Sequence, residues 1–177
     1  MRLFTTIAAL ILAGLPMAGA TLESLSLDQL IEKSTAIVRG RVTAAHAVKR
    51  GQVIYTVSSL DVMEQWKGAP GGPAEAALPG GVLDGQRQTF SGGPALDSGK
   101  EYVLFLWTGE SGLTQVTGMS QGVFGVLKDA SGALIARQTP SQGVVIPAAG
   151  GAPAAAITLP LDELRNRVQQ FVKAAKR

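Results

Sequence analysis

A mainly β fold is predicted by the composition of the chain and by the spacing of its apolar residues. The 177-residue chain contains 22 glycines and nine prolines, and 46% of its residues are hydrophobic while only 16% are charged. So many turn-forming residues do not suit a helix bundle, and so few charges do not suit a disordered chain. Short apolar runs separated by Gly-rich and Pro-rich segments are typical of β-strands and their connections.

The first 20 residues are predicted to be a secretory signal peptide. Arg2 gives a positive start, Leu3 to Leu15 form an uncharged apolar run, and Ala18-Gly19-Ala20 fits a cleavage site. The apolar run is shorter than the ~20 residues of a membrane helix, and no later stretch approaches that length. We therefore expect cleavage near Ala20, a periplasmic or extracellular location, and no transmembrane helix in the mature chain.

Charge and cysteine content restrict the expected partners and the means of stabilisation. The formal charge is +3, and the chain has no cysteine, so disulfides cannot contribute to stability. The basic surplus lies beyond Pro160 instead of being spread over a face, which is not typical of a nucleic-acid-binding protein. Nucleic acid is therefore not an expected partner.

A short N-terminal helix followed by two long strands is predicted for residues 25–66. Ser26 can cap the helix and Gln29 can reach back to it, so the helix is expected to run to about Ser34. Strands are predicted over Ala36 to Val48 and Val53 to Trp66. Because the apolar phase of the second run changes across residues 58–59, we expect a β-bulge at Ser58-Ser59.

The middle of the chain is predicted to hold one central strand and several shorter ones. Ala74 to Leu78 reads as a weak strand, residues 79–81 as a turn, and a short strand is expected around Thr89-Phe90. The nearly continuous apolar run within Glu101 to Thr108 is typical of a strand covered on both faces, with Phe105 deep in the core.

Three further strands are expected before residue 140. Leu113 to Thr117 and Val123 to Leu127 are strand-like, and Ala133 to Ala136 follows a four-residue turn at Asp129 to Gly132. The last two strands are therefore predicted to form a hairpin.

A linker and a second helix are predicted to end the chain. Residues 147–159 are rich in Ala, Gly and Pro, and residues 160–177 carry an apolar stripe at helical spacing, made of Leu161, Leu164, Val168, Phe171 and Val172. We expect this amphipathic helix to dock on its own domain, residues 21–146. Contact with a partner, or weak contact with an anionic membrane, is the alternative.

The order of these elements resembles that of netrin-like domains and tissue inhibitors of metalloproteinases. The similarity is carried by residues 34–42, 55–57, 62–68 and 99–106, and covers about residues 34 to 127. It implies an OB-like (netrin-like) β-barrel with a short N-terminal helix and a C-terminal amphipathic helix. The cysteines of that family are absent, and the predicted mature chain begins at Thr21, so zinc chelation by an N-terminal cysteine does not carry over.

The chain also resembles a family of uncharacterised secreted bacterial proteins. The shared motifs are Pro79-Gly80-Gly81, a shifted Gly93-Pro94, residues 99–106 (GKEYVLFL) and residues 121–126 (QGVFGV). These motifs are turns and strands, so this resemblance implies a fold and a compartment but no mechanism.

Catalytic motifs are weak in this sequence. Gly118 to Gly122 matches G-x-S-x-G around Ser120, but a strand instead of a helix is predicted after it, and the only histidine, His46, precedes the serine. One histidine and no cysteine do not supply a usual zinc ligand set, and no cofactor is expected. The sequence therefore does not favour a hydrolase.

The sequence predicts an exported, non-enzymatic binding or interaction module with an unknown protein or peptide partner. The candidate residues of its ligand surface are Trp66 with the adjacent Lys67, and Trp107 beside a Gly-rich loop. They are chosen because both tryptophans are expected to be exposed. The alternative is a protease-inhibitor-like protein that uses its N-terminal segment and barrel-edge loops against a secreted peptidase.

Overall fold

The computed structural model describes residues 22–140, 145–146 and 156–175. The predicted signal peptide and most of the predicted linker lie outside these residues. The described part is mainly β, as predicted, with one large sheet, two small sheets and two α-helices. Its elements are β1 (Leu22–Glu23), α1 (Leu27–Lys33), β2 (Ala36–Arg50), β3 (Val53–Lys67), β4 (Glu75–Pro79), β5 (Gly81–Leu83), β6 (Gln86–Gln88), β7 (Glu101–Thr108), β8 (Thr114–Val116), β9 (Val123–Lys128), β10 (Leu134–Gln138), β11 (Val145–Ile146), β12 (Thr158–Pro160) and α2 (Leu161–Ala174).

The large sheet has the strand order β12-β10-β9-β7-β2-β3-β4-β8. Strand β8 pairs in parallel with β4 and also antiparallel with β7. Its pairings therefore connect β4, near one end of the sheet, with β7 in the middle of the sheet. The other neighbours in the sheet are antiparallel. Strands β2, β3, β4, β8 and β7 are therefore linked by an unbroken circle of pairings.

Strand β7 lies at the centre of two apolar clusters, as its continuous apolar run predicts. Val103 and Phe105 belong to a cluster beneath α1 and α2, which we call the helix-side cluster. Tyr102, Leu104 and Leu106 belong to a second cluster, formed mostly by strand residues. Because successive side chains alternate between the faces of a strand, an all-apolar run must be covered on both.

The two helices confirm the local signals read from the sequence. Ser26 and Gln29 form a capping box at the start of α1, which ends at Lys33 beside a C-cap at Ser34. Leu161, Leu164 and Val168 of α2 are buried in the helix-side cluster. The first part of the apolar stripe is thus used for docking on the same chain, as predicted.

The predicted β-bulge at Ser58-Ser59 is wrong in its position. Those residues pair in continuous register with both β2 and β4, and the extra residue is Thr43 of β2, opposite the step from Ser59 to Leu60. Further on, Met63 and Trp66 are the extra residues of β3. Either strand of a hairpin can carry the extra residue, so the phase change along one strand does not locate the bulge.

The short strand expected around Thr89-Phe90 is also displaced. The observed strand is β6, which ends at Gln88 and forms a hairpin with β5. Asp84 and Gly85 connect the two strands with φ angles of 50° and 75°. An Asp-Gly pair with both φ angles positive is the signature of a two-residue hairpin turn, a signal that the sequence contains.

The last part of the predicted linker is ordered as β12. Thr158, Leu159 and Pro160 pair antiparallel with β10. Gln138 holds the residue before them: its side-chain Oε1 accepts from Ile157 N–H (3.1 Å), and its backbone N–H donates to Ile157 C=O (2.8 Å). Strand β11, which the sequence did not predict, pairs in parallel with β1. Because β12 pairs with β10 and is followed directly by α2, the helix begins at the edge of the sheet.

Candidate functional site

A groove lies between the C-terminal half of α2 and the end of β3 with its following loop. Its volume is about 590 Å³, within the range of small-ligand sites. It is lined by Thr35, Gln65, Trp66, Lys67, Gly68, Pro70, Phe171, Val172 and Ala175. Two of the three residues singled out from the sequence, Trp66 and Lys67, thus meet at one groove.

Trp66 forms the inner wall of the groove and is buried, so the expectation that it is exposed is wrong. Only 6% of the residue is accessible, and its ring belongs to the cluster beneath the helices. Its indole N–H donates a 3.0 Å hydrogen bond to Glu64 Oε2. Because Trp66 is an extra residue of β3, its side chain does not follow simple alternation, and α2 then covers it.

Lys67 places a positive charge at the groove beside the end of α1. Its ammonium donates to Ile31 C=O (2.6 Å) and Glu32 C=O (3.3 Å), two carbonyls in the last turn of that helix. Burial lowers the pKa of Lys67, and the nearby charge of Glu32 partly opposes this effect. An ammonium group has three donors, so two protein bonds leave one for a ligand.

The loop at the mouth of the groove is held by Gln65. The side-chain amide of Gln65 donates to Ala69 C=O, and its carbonyl accepts a 3.0 Å hydrogen bond from Gly72 N–H. Gly68 has a φ of +111°, and a Cβ there would lie 3.1 Å from Thr35 C=O. The hydrogen bonds of Gln65 and the backbone conformation of Gly68 therefore hold the loop in place, so that it forms a preformed wall of the groove.

A charged network beneath the groove ties α2 to the sheet. Arg39 bonds Glu64 (2.5 Å) and Glu101 (2.6 Å), and Arg165 of α2 lies 3.5 Å from the second oxygen of Glu64. Burial alone would raise the pKa of Glu64, but the hydrogen bonds from Trp66 and Arg39 and the charge of Arg165 lower it below its usual value. Glu64 therefore acts as an ionised anchor and does not suit a general acid.

Trp107, the third candidate residue, is not one of the residues that line the groove. It is 38% accessible, as expected from the sequence, and its ring folds over Gly109 in the loop after β7. A Cβ at Gly109 would lie 2.9 Å from the indole ring, so this glycine makes room for it. Trp107 therefore packs on its own loop and does not form part of the groove wall.

Sequence reasoning did not assign Gln65 or the loop after β3 to the site, and it assigned Phe171 and Val172 only to docking. Both apolar residues are half-buried and pack against the helix-side cluster, but they also line the groove. No signal in the sequence separates these two residues from the docked part of the stripe, because only the structure shows that burial ends at Val168. The stripe is longer than the surface on which it docks, so its last residues, Phe171 and Val172, remain as apolar lining of the groove.

The serine motif has no catalytic geometry in the structure. Ser120 is 1% accessible within the turn Met119–Gly122, which leads into β9 and not into a helix. His46 is exposed on β2, where it pairs with Val57. Gly118 precedes this turn and Gly122 ends it, so the two glycines of the motif flank a buried serine.

The N-terminal segment on which the protease-inhibitor hypothesis depends is attached to the domain. Strand β1 pairs with β11, and Leu25 N–H donates a 2.7 Å hydrogen bond to the buried amide of Gln121. Gln121 also donates to Glu23 C=O at 2.9 Å. These contacts place residues 22–25 along the body of the protein, and the inhibitor hypothesis stays a prediction.

Within residues 22–140, 145–146 and 156–175, no group of three or more acidic, histidine or cysteine side chains is arranged to hold a metal ion. In the same residues, neither helix combines the length and the apolar character needed to cross a membrane. No protein-family model matches the chain, and no curated protein matches it.

Proposed function

We propose that this protein is an exported, non-enzymatic binding module whose ligand site is the groove between α2 and the loop after β3. The observation that carries the proposal is a groove of about 590 Å³ whose lining combines the apolar residues Trp66, Phe171 and Val172 with Lys67. Ligand sites typically combine an apolar lining with a few fixed polar groups. The preferred ligand is a small molecule or peptide end with an apolar body and one carboxylate.

The charge preference follows from the surroundings of Lys67. Its positive charge is partly withdrawn from water, and two carbonyls fix its position. A ligand carboxylate would form a charge-assisted hydrogen bond with the remaining donor. A neutral ligand of the same shape would gain only the apolar contacts.

A tryptophan signal can report binding because the chain has only two tryptophans. The variant Trp107→Phe leaves Trp66 as the single reporter, at the groove wall. We expect phenylbutyrate to change its fluorescence and to bind about tenfold more tightly than the neutral phenylbutyramide. Because the carboxylate needs the ammonium form, this preference should be lost as the pH rises through the lowered pKa of Lys67.

Matched variants separate the groove from general charge effects. Lys67→Met should remove the preference for the carboxylate, whereas Lys173→Met, an exposed position of α2, should preserve it. Unfolding midpoints of both variants control for loss of the contacts between Lys67 and α1. Equal binding of the two compounds by the parent single-tryptophan variant, or no response to either, would contradict the proposed site.

Export rests on the first 20 residues and has its own test. Protein recovered from the periplasm or the culture medium should begin at or near Thr21, because Ala18-Gly19-Ala20 combines small residues with the end of the apolar run. Sequencing of the N-terminus measures this. Recovery of Met1 from the exported fraction would contradict the export hypothesis while leaving the groove hypothesis intact.

The finer fold assignment is also a proposal: we infer an OB-like barrel formed by β2, β3, β4, β7 and β8. Its support is the circle of pairings, in which the first three strands form an antiparallel meander and β8 joins β4 in parallel and β7 antiparallel. That is the strand order of the five-stranded Greek-key barrel. Barrels of this type use loops and open faces for binding, which agrees with a binding role without assigning a ligand.

A further inference from the structure

Within residues 22–140, 145–146 and 156–175, the outer half of β2 has no strand paired to the edge that faces away from β3. Pairing with the β7 side ends at Val42, whose N–H donates to Lys100 C=O (3.0 Å) and whose C=O accepts from Gly99 N–H (2.8 Å). Ser98 then donates a 3.3 Å hydrogen bond to Thr43 C=O. In the described part of the chain, β2 beyond this point pairs only with β3.

The backbone groups that point out of this edge can be assigned from β3. Ile54 directs its N–H to Gln88 Oε1 (2.7 Å) and its C=O to Gly80 N–H (2.7 Å), both on the side away from β2. Lys49 is the partner of Ile54 across the hairpin. Facing residues of an antiparallel pair either exchange both hydrogen bonds or direct both away, so the groups of Lys49 point outward.

The same alternation places the N–H and C=O groups of Ala47 and Ala45 on the outer edge. Ala45 and Lys49 are exposed and Ala47 is half-buried. Three successive outward residues offer about six backbone hydrogen bonds to an added strand. The alanine side chains leave room for a partner backbone to approach.

Charge decides which occupant suits this edge. Lys49 and Arg50 lie at its outer end, and Lys100, whose C=O accepts from Val42 N–H, lies at its inner end. A second copy of the chain would bring two basic edges together, and like charges opposite each other destabilise strand pairs. An acidic extended segment has complementary charge.

We propose that residues 45–49 of β2 accept an extended acidic peptide segment of a partner protein as an added β-strand. Main-chain hydrogen bonds would supply affinity, and the basic residues at both ends of the edge would select the charge of the partner. This surface is distinct from the groove at α2, and neither proposal depends on the other.

The probe is a labelled, blocked heptapeptide of alternating glutamate and valine, compared with its lysine-valine counterpart by fluorescence anisotropy on the full chain. We expect the acidic peptide to bind at least about tenfold more tightly at low salt and to weaken as salt rises. Amide hydrogen exchange should slow at Ala45, Ala47 and Lys49. Equal affinity for both peptides, or no binding, would overturn the proposal.

Ala47→Pro tests the edge directly. Proline is tolerated where an edge N–H faces solvent, but it removes a donor and blocks an incoming strand. We expect at least about tenfold weaker peptide binding with little change in the unfolding midpoint. Should this variant fail to fold, the double variant Lys49→Glu with Arg50→Glu serves instead, with an expected preference for the lysine-valine peptide.

Two results would show that the acidic peptide does not bind at the edge of β2 as proposed. Unchanged binding by a folded Ala47→Pro variant would place the peptide at another surface and overturn the proposal. Concentration-dependent dimers that Ala47→Pro abolishes would show that a second copy occupies the edge, which also overturns it. Sedimentation measurements without peptide distinguish these cases.

Discussion

Replacing Phe105 by alanine is expected to reduce the free energy of unfolding by about 3–5 kcal/mol. Phe105 is fully buried in the central strand β7, and its ring lies 5.3 Å from that of Phe124 at an angle of 41°. The substitution removes apolar contacts and leaves a cavity between the sheet and the helices, because neighbouring strands cannot collapse into it. Denaturant unfolding at a constant m-value measures the loss.

Phe90→Ala is the matched control for this prediction. Phe90 is 40% accessible and lies in the loop after β6, so its loss should cost less than about 1 kcal/mol. A cost below about 1 kcal/mol for Phe105→Ala as well would mean that β7 is not the centre of the core.

The second large effect is expected from Gly122→Ala. A Cβ at Gly122 would overlap Thr117 C=O and lie 3.2 Å from Phe105 C=O. Both obstacles are backbone atoms, and Thr117 N–H already donates to Phe105 C=O at 2.8 Å. The turn and β7 would have to separate, so we expect a loss of about 3 kcal/mol, the upper end for overpacking.

Gly125→Ala provides a control three residues further along the same strand region. A Cβ there would meet only Arg137 C=O at 4.0 Å, and its backbone is not in the left-handed region. We expect no more than about 1 kcal/mol of change for Gly125→Ala, measured in the same unfolding experiment. Similar losses for both glycines would contradict the close approach at Gly122.

The candidate site was predictable only in part, and the reason lies in its construction. Trp66 and Lys67 could be selected because an aromatic residue next to a cation before a glycine is a local signal. Phe171 and Val172 lie more than 100 residues later, and nothing in their spacing indicates that they face Trp66. The burial of Trp66 depends on the same distant contact, which explains why it was wrongly expected to be exposed.

The sequence alone determined the features whose causes are local. The capping box at Ser26 and Gln29, the apolar run of β7 and the stripe of α2 each act within one element, through hydrogen bonds and periodicity that neighbouring residues define. Tertiary structure decided the position of the bulge at Thr43, the groove and the free edge of β2. Each of these depends on which strand or helix lies beside another, and that choice is set by packing across distant parts of the chain.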